Sequence, residues 1–277
     1  MLQSTQRFDK VLNLIKSQGE ILREARLGKK ETQSKSDPRD LVTKWDRATE
    51  QALRQGILSS FPEDTIVGEE FPKSGNGSGT VWYIDPIDGT TNFVSMGRDF
   101  AISVGCYVDG KPEFGIVLDV AADTVYWAAD GMGAYRNDER VYTAKREKVE
   151  EQLLLMPGIP HTLFGTHPNR EKLARLCTDV RGVRSRGSVA LELCAVACGE
   201  GDLFATARSC PWDHNAARII LEEAGGALCT LEGENLPFDE KTTVFAASSP
   251  QILERTIQTY GLRAQKMQHL EDSLTKN

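Results

Sequence analysis

Val81-Trp82-Tyr83-Ile84-Asp85-Pro86-Ile87-Asp88-Gly89-Thr90-Thr91-Asn92-Phe93 is an apolar run that ends on a carboxylate. A proline follows, then a second carboxylate three residues after the first, then Gly-Thr-Thr. A strand that ends this way delivers two acidic side chains to one edge of a sheet. The backbone then turns so that a new segment starts with free amides. Carboxylate oxygens bind hard cations such as Mg²⁺, and free N–H groups at a helix start bind phosphate. A metal site beside a phosphate cradle is the equipment of a phosphoester hydrolase. In isolation the same residues also read as a turn or a helix cap, because Asp-Pro and Asp-Gly are common turn dipeptides. An EF-hand loop does not fit. Counted from Asp85, its sixth residue is Thr90 rather than Gly and its twelfth is Met96 rather than Glu.

Companion segments decide between these readings. Upstream, Ile66-Val67-Gly68-Glu69-Glu70 is a short apolar run ending on two acids. Downstream, Pro211-Trp212-Asp213-His214-Asn215-Ala216-Ala217-Arg218 leads into Ile219-Ile220-Leu221-Glu222-Glu223-Ala224-Gly225-Gly226. This predicts a helix with Asp213 near its start and a Gly-Gly stop. Alone, Asp213 would be an N-cap and Glu69 a solvated loop acid. Taken together, and in this order, these segments resemble the inositol monophosphatase family, which is Mg²⁺-dependent and Li⁺-sensitive. Asp40-Leu41-Val42-Thr43-Lys44-Trp45-Asp46 is similar to that family's N-terminal element, and Gly187-Ser188-Val189-Ala190-Leu191-Glu192 to its substrate-side loop and helix. The resemblance runs from about residue 8 to about residue 260.

The resemblance implies an α+β fold, a layered α-β-α-β-α sandwich with the active site between two halves. It implies two or three Mg²⁺ ions. Asp85 would bridge them, Glu69 and the Ile87 carbonyl would complete one site with Thr90 nearby, and Asp88 and Asp213 would complete another. Thr90 would pass a water proton to Asp46, with Glu69 or Glu70 assisting as base. Phosphate would lie on the amides of Gly89, Thr90 and Thr91. Asp88, Gly187, Ser188, Val189, Thr206, Arg208 and Asp213 would line the substrate edge. A loop over residues 28–39 would close on the site and carry Lys35 toward the metals. By composition alone that loop is equally a solvated linker. No covalent phosphoenzyme is implied. The chemistry suits the residue types: a phosphate monoester is a dianion that repels its nucleophile, and hard-oxygen cation sites answer that repulsion.

One position departs from the family pattern. Inositol-specific members carry a carboxylate seven residues before the Trp-Asp aspartate, and here that residue is Thr206. The resemblance implies hydrolysis of inositol monophosphate to inositol and phosphate, and the loss of this polyol acceptor weakens the case for it and widens the candidates. Arg184, Arg186 and Arg208 add charge nearby, and a guanidinium fork suits a second phosphate or a carboxylate. Fructose 1,6-bisphosphate and the 2′-phosphate of NADP are the alternatives. The same arginines also read as surface residues paired with acids. Arg218 and His214 are expected on a helix surface.

Composition narrows the remaining classes. The chain has 277 residues, 40% hydrophobic, enough for one large domain or two intimate ones. Its net charge of −7 and lack of a long basic run argue against nucleic acid or an anionic membrane as main partner. They also weigh against a regulatory, RNA- or protein-binding role. No apolar stretch nears 18 residues, and Met1 to Lys10 carry no apolar signal core, so a cytoplasmic enzyme is expected. The six cysteines show no Cys-x-x-Cys and the four histidines no metal-ligand spacing. Cys194 and Cys198, four apart on one helix face, read as buried free thiols, and a carboxylate-only site is expected. A homodimer acting on a small phosphorylated substrate is the family expectation.

For organisation, residues 8–27 and 43–60 predict helices. Residues 73–80 form a floppy connection, and Phe100 to Tyr142 an antiparallel meander. From about 150 the pattern alternates. Strands are expected at 153–156, 180–184, 202–206, 227–230 and 243–247, and helices at 169–177, 188–198, 213–224 and 250–260. The charged run 145–151 marks a boundary between residues 1–147, carrying most metal ligands, and 148–262, carrying the substrate loop and Asp213. Residues 263–277 read as a polar tail.

Overall fold

The computed structural model describes residues 2–28, 32–34, 41–75 and 79–262. The expected approach of Lys35 and the polar tail 263–277 therefore lie outside the described residues. In chain order, α1 (Leu2–Ala25) precedes a small hairpin, β1 (Thr32–Ser34) and β2 (Leu41–Thr43), and then α2 (Lys44–Leu58). β3 (Thr65–Gly68), β4 (Thr80–Asp88), the short α3 (Thr90–Ser95), β5 (Ala101–Val108), β6 (Lys111–Asp119), β7 (Thr124–Ala129), β8 (Gly133–Arg136) and β9 (Glu139–Val141) follow. The remaining elements are β10 (Leu153–Leu155), α4 (Ile159–Leu163), α5 (Arg170–Asp179), β11 (Gly182–Arg184) and α6 (Val189–Ala197). They continue with β12 (Leu203–Ser209), α7 (Pro211–Glu223), β13 (Ala227–Cys229), β14 (Thr242–Ala247) and α8 (Pro250–Tyr260).

β3 to β9 form a seven-stranded sheet in sequence order, parallel at β3–β4 and antiparallel thereafter. β11-β10-β12-β14-β13 form a five-stranded mixed sheet. α1 and α2 cover the outer face of the first sheet, and α6 and α7 lie between the sheets. α4, α5 and α8 cover the far face of the second. This is the layered α-β-α-β-α sandwich implied by the sequence.

The layering follows from strands that are apolar on both faces. In β4, Trp82 and Ile84 pack with α1 and α2, where Phe8, Trp82 and Phe114 meet edge to face. Tyr83 points the other way, into the core shared with α6 and α7. α6 is buried along its whole length because it is covered on both sides. α7 approaches the first sheet at two small residues. Gly105 and Gly115 are paired neighbours on β5 and β6. A Cβ on Gly105 would lie 3.1 Å from Ala216 N, and one on Gly115 would collide with Ala216 O.

Some sequence expectations shift. The first helix begins at Leu2 rather than residue 8, β12 continues three residues past Thr206, and α4 is an added turn. Within the charged run 145–151, Arg146 pairs with the buried Asp202 at 2.8 Å.

Candidate active site

Pro86 decides the geometry of the acidic pair. Residues three apart on a regular strand point to opposite faces. β4 is not regular there. Asp85 pairs with Ser103 and Asp88 with Ala101, so three steps on β4 match two on β5. Proline has no N–H to give the ladder, and it is accommodated at such a bulge. The extra residue turns Asp88 onto the face of Asp85, the face toward α6 and α7. Ile87 N donates to Asp85 Oδ1 at 3.0 Å and locks the turn. Gly89 follows at φ 92°, a left-handed conformation suited to glycine, and opens α3. Thr90 and Thr91 are the first residues of that helix, so their N–H groups have no acceptor within it.

Asp88 links the end of β4 to the start of α6. Its Oδ2 accepts Ser188 Oγ at 2.6 Å and Ala190 N at 2.7 Å, and its Oδ1 accepts Val189 N at 3.3 Å. Burial still raises its pKa to about 6, against these hydrogen bonds. Asp85 is raised well above the ordinary carboxylate range, by burial and then by the charges of Glu69, Asp88, Asp213 and Asp46. Asp213 sits in the first turn of α7 and accepts Cys210 N at 2.7 Å. It is raised by burial and by Asp88, with Glu69 adding to the effect and Arg208 opposing it. Thus Glu69, Asp85, Asp88 and Asp213, far apart in sequence, share one electrostatic neighbourhood.

Asp46 and Thr90 meet beside it. Asp46 is the third residue of α2 and forms a capping box with Thr43. Its Oδ2 accepts Thr43 N and Oγ1 at 2.7 and 2.6 Å. Its Oδ1 lies 3.1 Å from Thr90 Oγ1, and the Ile87 carbonyl lies at the same distance from that hydroxyl. Burial raises the Asp46 pKa, although these bonds oppose it. Glu70 approaches Arg47 at 3.9 Å.

The donor set suits a hard cation. All the converging groups are oxygens. Among the described residues Asp85, Asp88 and Asp213 have no ion-pair partner of opposite charge within 4.0 Å, and their mutual repulsion favours a bound cation. Among the described residues no three acidic, His or Cys groups form a tight preformed cage. Mg²⁺ does not require one, since it keeps several waters and takes only one or two carboxylates at each ion.

The substrate-side residues separate into two groups. Ser188 and Val189 are brought to Asp88, as described, and Gly187 lies against Asn92, where a Cβ would come within 3.1 Å of the side-chain amide. Thr206 is buried, and its hydroxyl is spent on its own turn, donating to Arg208 O at 3.0 Å and accepting Arg208 N. A register shift between Thr206 and Ser209 leaves Arg208 exposed at the end of β12. Arg186 pairs with Asp99 at 3.2 Å and Asp119 at 3.1 Å, as a surface arginine paired with acids would. Arg218 is not on an open helix surface: it lies 4.5 Å over the Phe238 ring and donates to Leu236 O. His214 is fully buried against Ser209 Oγ at 2.9 Å, and burial lowers its pKa to about 4. Two residues that the sequence motifs contain but to which they assign no role hold the 186–190 turn. Asn92 donates to Arg186 O and Asp99 O at 2.6 and 2.7 Å. Glu192 Oε1 accepts Arg186 N and Gly187 N.

The chain is similar to known proteins over most of its length. The family model "Inositol monophosphatase family" matches residues 4–265. The chain belongs to the inositol monophosphatase family. An inositol-1-monophosphatase of Bacillus subtilis (strain 168) is 41% identical over 84% of this chain and 88% of its own length. A solved SaIMPase-II with inositol monophosphate bound is 30% identical, with a TM-score of 0.80, covering 97% of this chain and 96% of its own. A 2′AMP-bound SaIMPase-II is also 30% identical, with a TM-score of 0.77 over 91% and 93% of the two chains. Inositol monophosphatases are phosphoric monoester hydrolases, and this chain is an enzyme of that class. Among the described residues no helix is long and apolar enough to cross a membrane.

Proposed function

We propose that the enzyme hydrolyses inositol monophosphate to inositol and phosphate, using Mg²⁺ held by Glu69, Asp85, the Ile87 carbonyl, Asp88 and Asp213. The observation that carries this reading is the Asp46–Thr90 pair, 3.1 Å apart, set beside that acidic cluster. When bound, magnesium supplies charge neutralisation to the phosphate dianion and makes water more acidic. The chain's own groups do the rest. The N–H groups of Gly89, Thr90 and Thr91 hold the phosphate at the start of α3. Thr90 Oγ1 hands a proton from the attacking water to Asp46, whose raised pKa brings it nearer the range useful to a base. Glu69 and Glu70 assist on the same side. Ser188 and Val189 keep Asp88 oriented, and with Gly187 they form the wall facing the sugar.

A second reading concerns substrate breadth. Arg208 is exposed beside Asp213, with no ion-pair partner among the described residues. Thr206 offers no carboxylate to a polyol. The similar SaIMPase-II is solved with 2′AMP as well as with inositol monophosphate. These facts favour acceptance of ribose 2′-phosphates, and the 2′-phosphate of NADP is the natural candidate, with fructose 1,6-bisphosphate beside it. We further propose Li⁺ inhibition, a cytoplasmic location and a homodimer.

Phosphate release from inositol 1-phosphate, 2′-AMP, NADP and fructose 1,6-bisphosphate tests both readings, with Mg²⁺ and with or without millimolar Li⁺. Li⁺-sensitive release from the inositol ester is expected. Faster turnover of 2′-AMP or NADP would move the assignment to the second reading. No release from any of the four, in protein that binds the cation, would refute both.

A further inference from the structure

α2 carries a second buried acid. Glu50 lies one helical turn after Asp46, fully removed from solvent. One carboxylate oxygen receives Arg54 Nε at 2.6 Å, and the other receives Glu70 N at 2.6 Å. The carboxylate rests on the last residue of β3, where a Cβ on Gly68 would collide with Glu50 Oε1. Arg54 completes the grip. Its Nη2 donates to Phe71 O at 3.0 Å and its Nη1 to Ser74 Oγ at 3.1 Å. Its guanidinium lies 5.7 Å over the Phe71 ring. The pair therefore holds the segment after β3 at Glu70, Phe71 and Ser74, directly following Glu69.

Stability alone does not account for this arrangement. Desolvating two charges offsets most of their attraction, and a buried pair replaced by apolar residues of similar volume is often equally stable. Apart from the pair itself, these polar contacts go to the loop that presents Glu69, and Glu69 is the charge that acts most strongly on Asp85. We propose that Glu50 and Arg54 are positioning residues: the buried pair fixes the Glu69–Ser74 segment so that Glu69 faces Asp85, and so sets the affinity of the acidic cluster for its cation. This rests on the metal-dependent reading above.

The test uses the full chain, stripped of metal, and Mn²⁺ alone as probe. Binding is followed by the electron paramagnetic resonance of free Mn²⁺, and folding by thermal unfolding without metal. The variants are Glu50→Gln, Arg54→Lys and the apolar double variant Glu50→Leu/Arg54→Met, with Asp85→Asn as reference. Groups that orient metal ligands are worth about 10–100-fold in affinity. Glu50→Gln and Arg54→Lys are therefore expected to raise the Mn²⁺ dissociation constant about tenfold or more. The Mg²⁺ concentration for half-maximal phosphate release should rise by a similar factor, with excess Mg²⁺ restoring turnover. The double variant should lose affinity while its melting temperature stays near the parent's. Parental Mn²⁺ affinity in Glu50→Gln and Arg54→Lys, with Asp85→Asn deficient, would overturn the positioning role alone. Parental affinity in Asp85→Asn would instead remove the metal reading on which it rests. If the double variant does not fold, Arg54→Lys still decides, because it keeps the charge and loses only the fork.

Discussion

Replacing Glu192 by glutamine is expected to flatten the pH dependence of stability in metal-free protein. Glu192 is fully buried on α6, and its Oε1 accepts Arg186 N and Gly187 N at 2.5 and 3.0 Å. Its Oε2 is buried with no hydrogen-bond partner among the described residues. Burial, aided by the charge of Asp88, raises its pKa from 4.5 to about 7. The sign follows from linkage. The folded state favours the protonated form, so this group's stabilisation is complete below pH 4.5 and is lost as pH rises through about 7. A carboxyl with these two values weakens folding by about 2.5 kcal/mol between about pH 5 and pH 8. Relaxation of the folded environment reduces that to about 1–2.5 kcal/mol. Glutamine keeps an acceptor for Arg186 N and Gly187 N and does not titrate. Urea unfolding in a chelator, at four pH values across this range, isolates the effect, because the other raised carboxylates act in both proteins. A variant with the parental pH slope, or one destabilised more at pH 8 than at pH 5, would refute the reasoning.

Three further expectations concern the catalytic groups and their support. Thr90→Ala should lower turnover about 10²–10⁴-fold, the range for a lost proton-transfer group, and Thr90→Ser should recover most of it. Steady-state kinetics at saturating Mg²⁺ checks this. Asp85→Asn should abolish phosphate release yet raise the melting temperature of metal-free protein at pH 8, because it removes a buried charge repelled by Glu69, Asp88 and Asp213. Calorimetry in a chelator that showed a lower value would contradict the electrostatic account. Gly115→Ala places a methyl group against Ala216 O, so it should cost about 1–3 kcal/mol. It should also reduce activity by moving α7 and Asp213, read by denaturation and phosphate release on one preparation.

Much of this site was legible in the sequence because its residues announce themselves locally. Asp85 and Asp88 flank a proline at a strand end, and Asp213 opens a helix. Both signals depend only on neighbours in the chain. The layered fold was legible through resemblance. What stayed hidden depends on distant packing. Glu50 and Arg54 at helical spacing look like an ordinary surface ion pair, and it is the approach of Gly68 and of the Glu70–Ser74 segment that covers them. His214 and Arg218 look like the polar face of an amphipathic helix. α7, however, lies between two sheets, so that face meets Ser209, Leu236 and Phe238. The bonds of the Thr206 hydroxyl to the Arg208 backbone likewise depend on the change of register in β12. No periodicity in a single segment reports the layer that will cover it.

The bulge in β4 makes the site depend on an integer. Most features of a binding site vary by degree, so that a shorter side chain or a displaced helix loosens a contact. The count of residues between Asp85 and Asp88 has no intermediate values. Removing one residue there, or adding one, reverses the pleat for everything beyond it. Asp88 would then point at the helices on the outer face, and Ser188, Val189 and Ala190 would lose their acceptor. The connection between β3 and β4 is free of this constraint only beyond Ser74, which pairs back with Ile66. In lineages of this enzyme, length changes should therefore collect between Ser74 and β4, while the number of residues from Asp85 to Asp88 stays fixed.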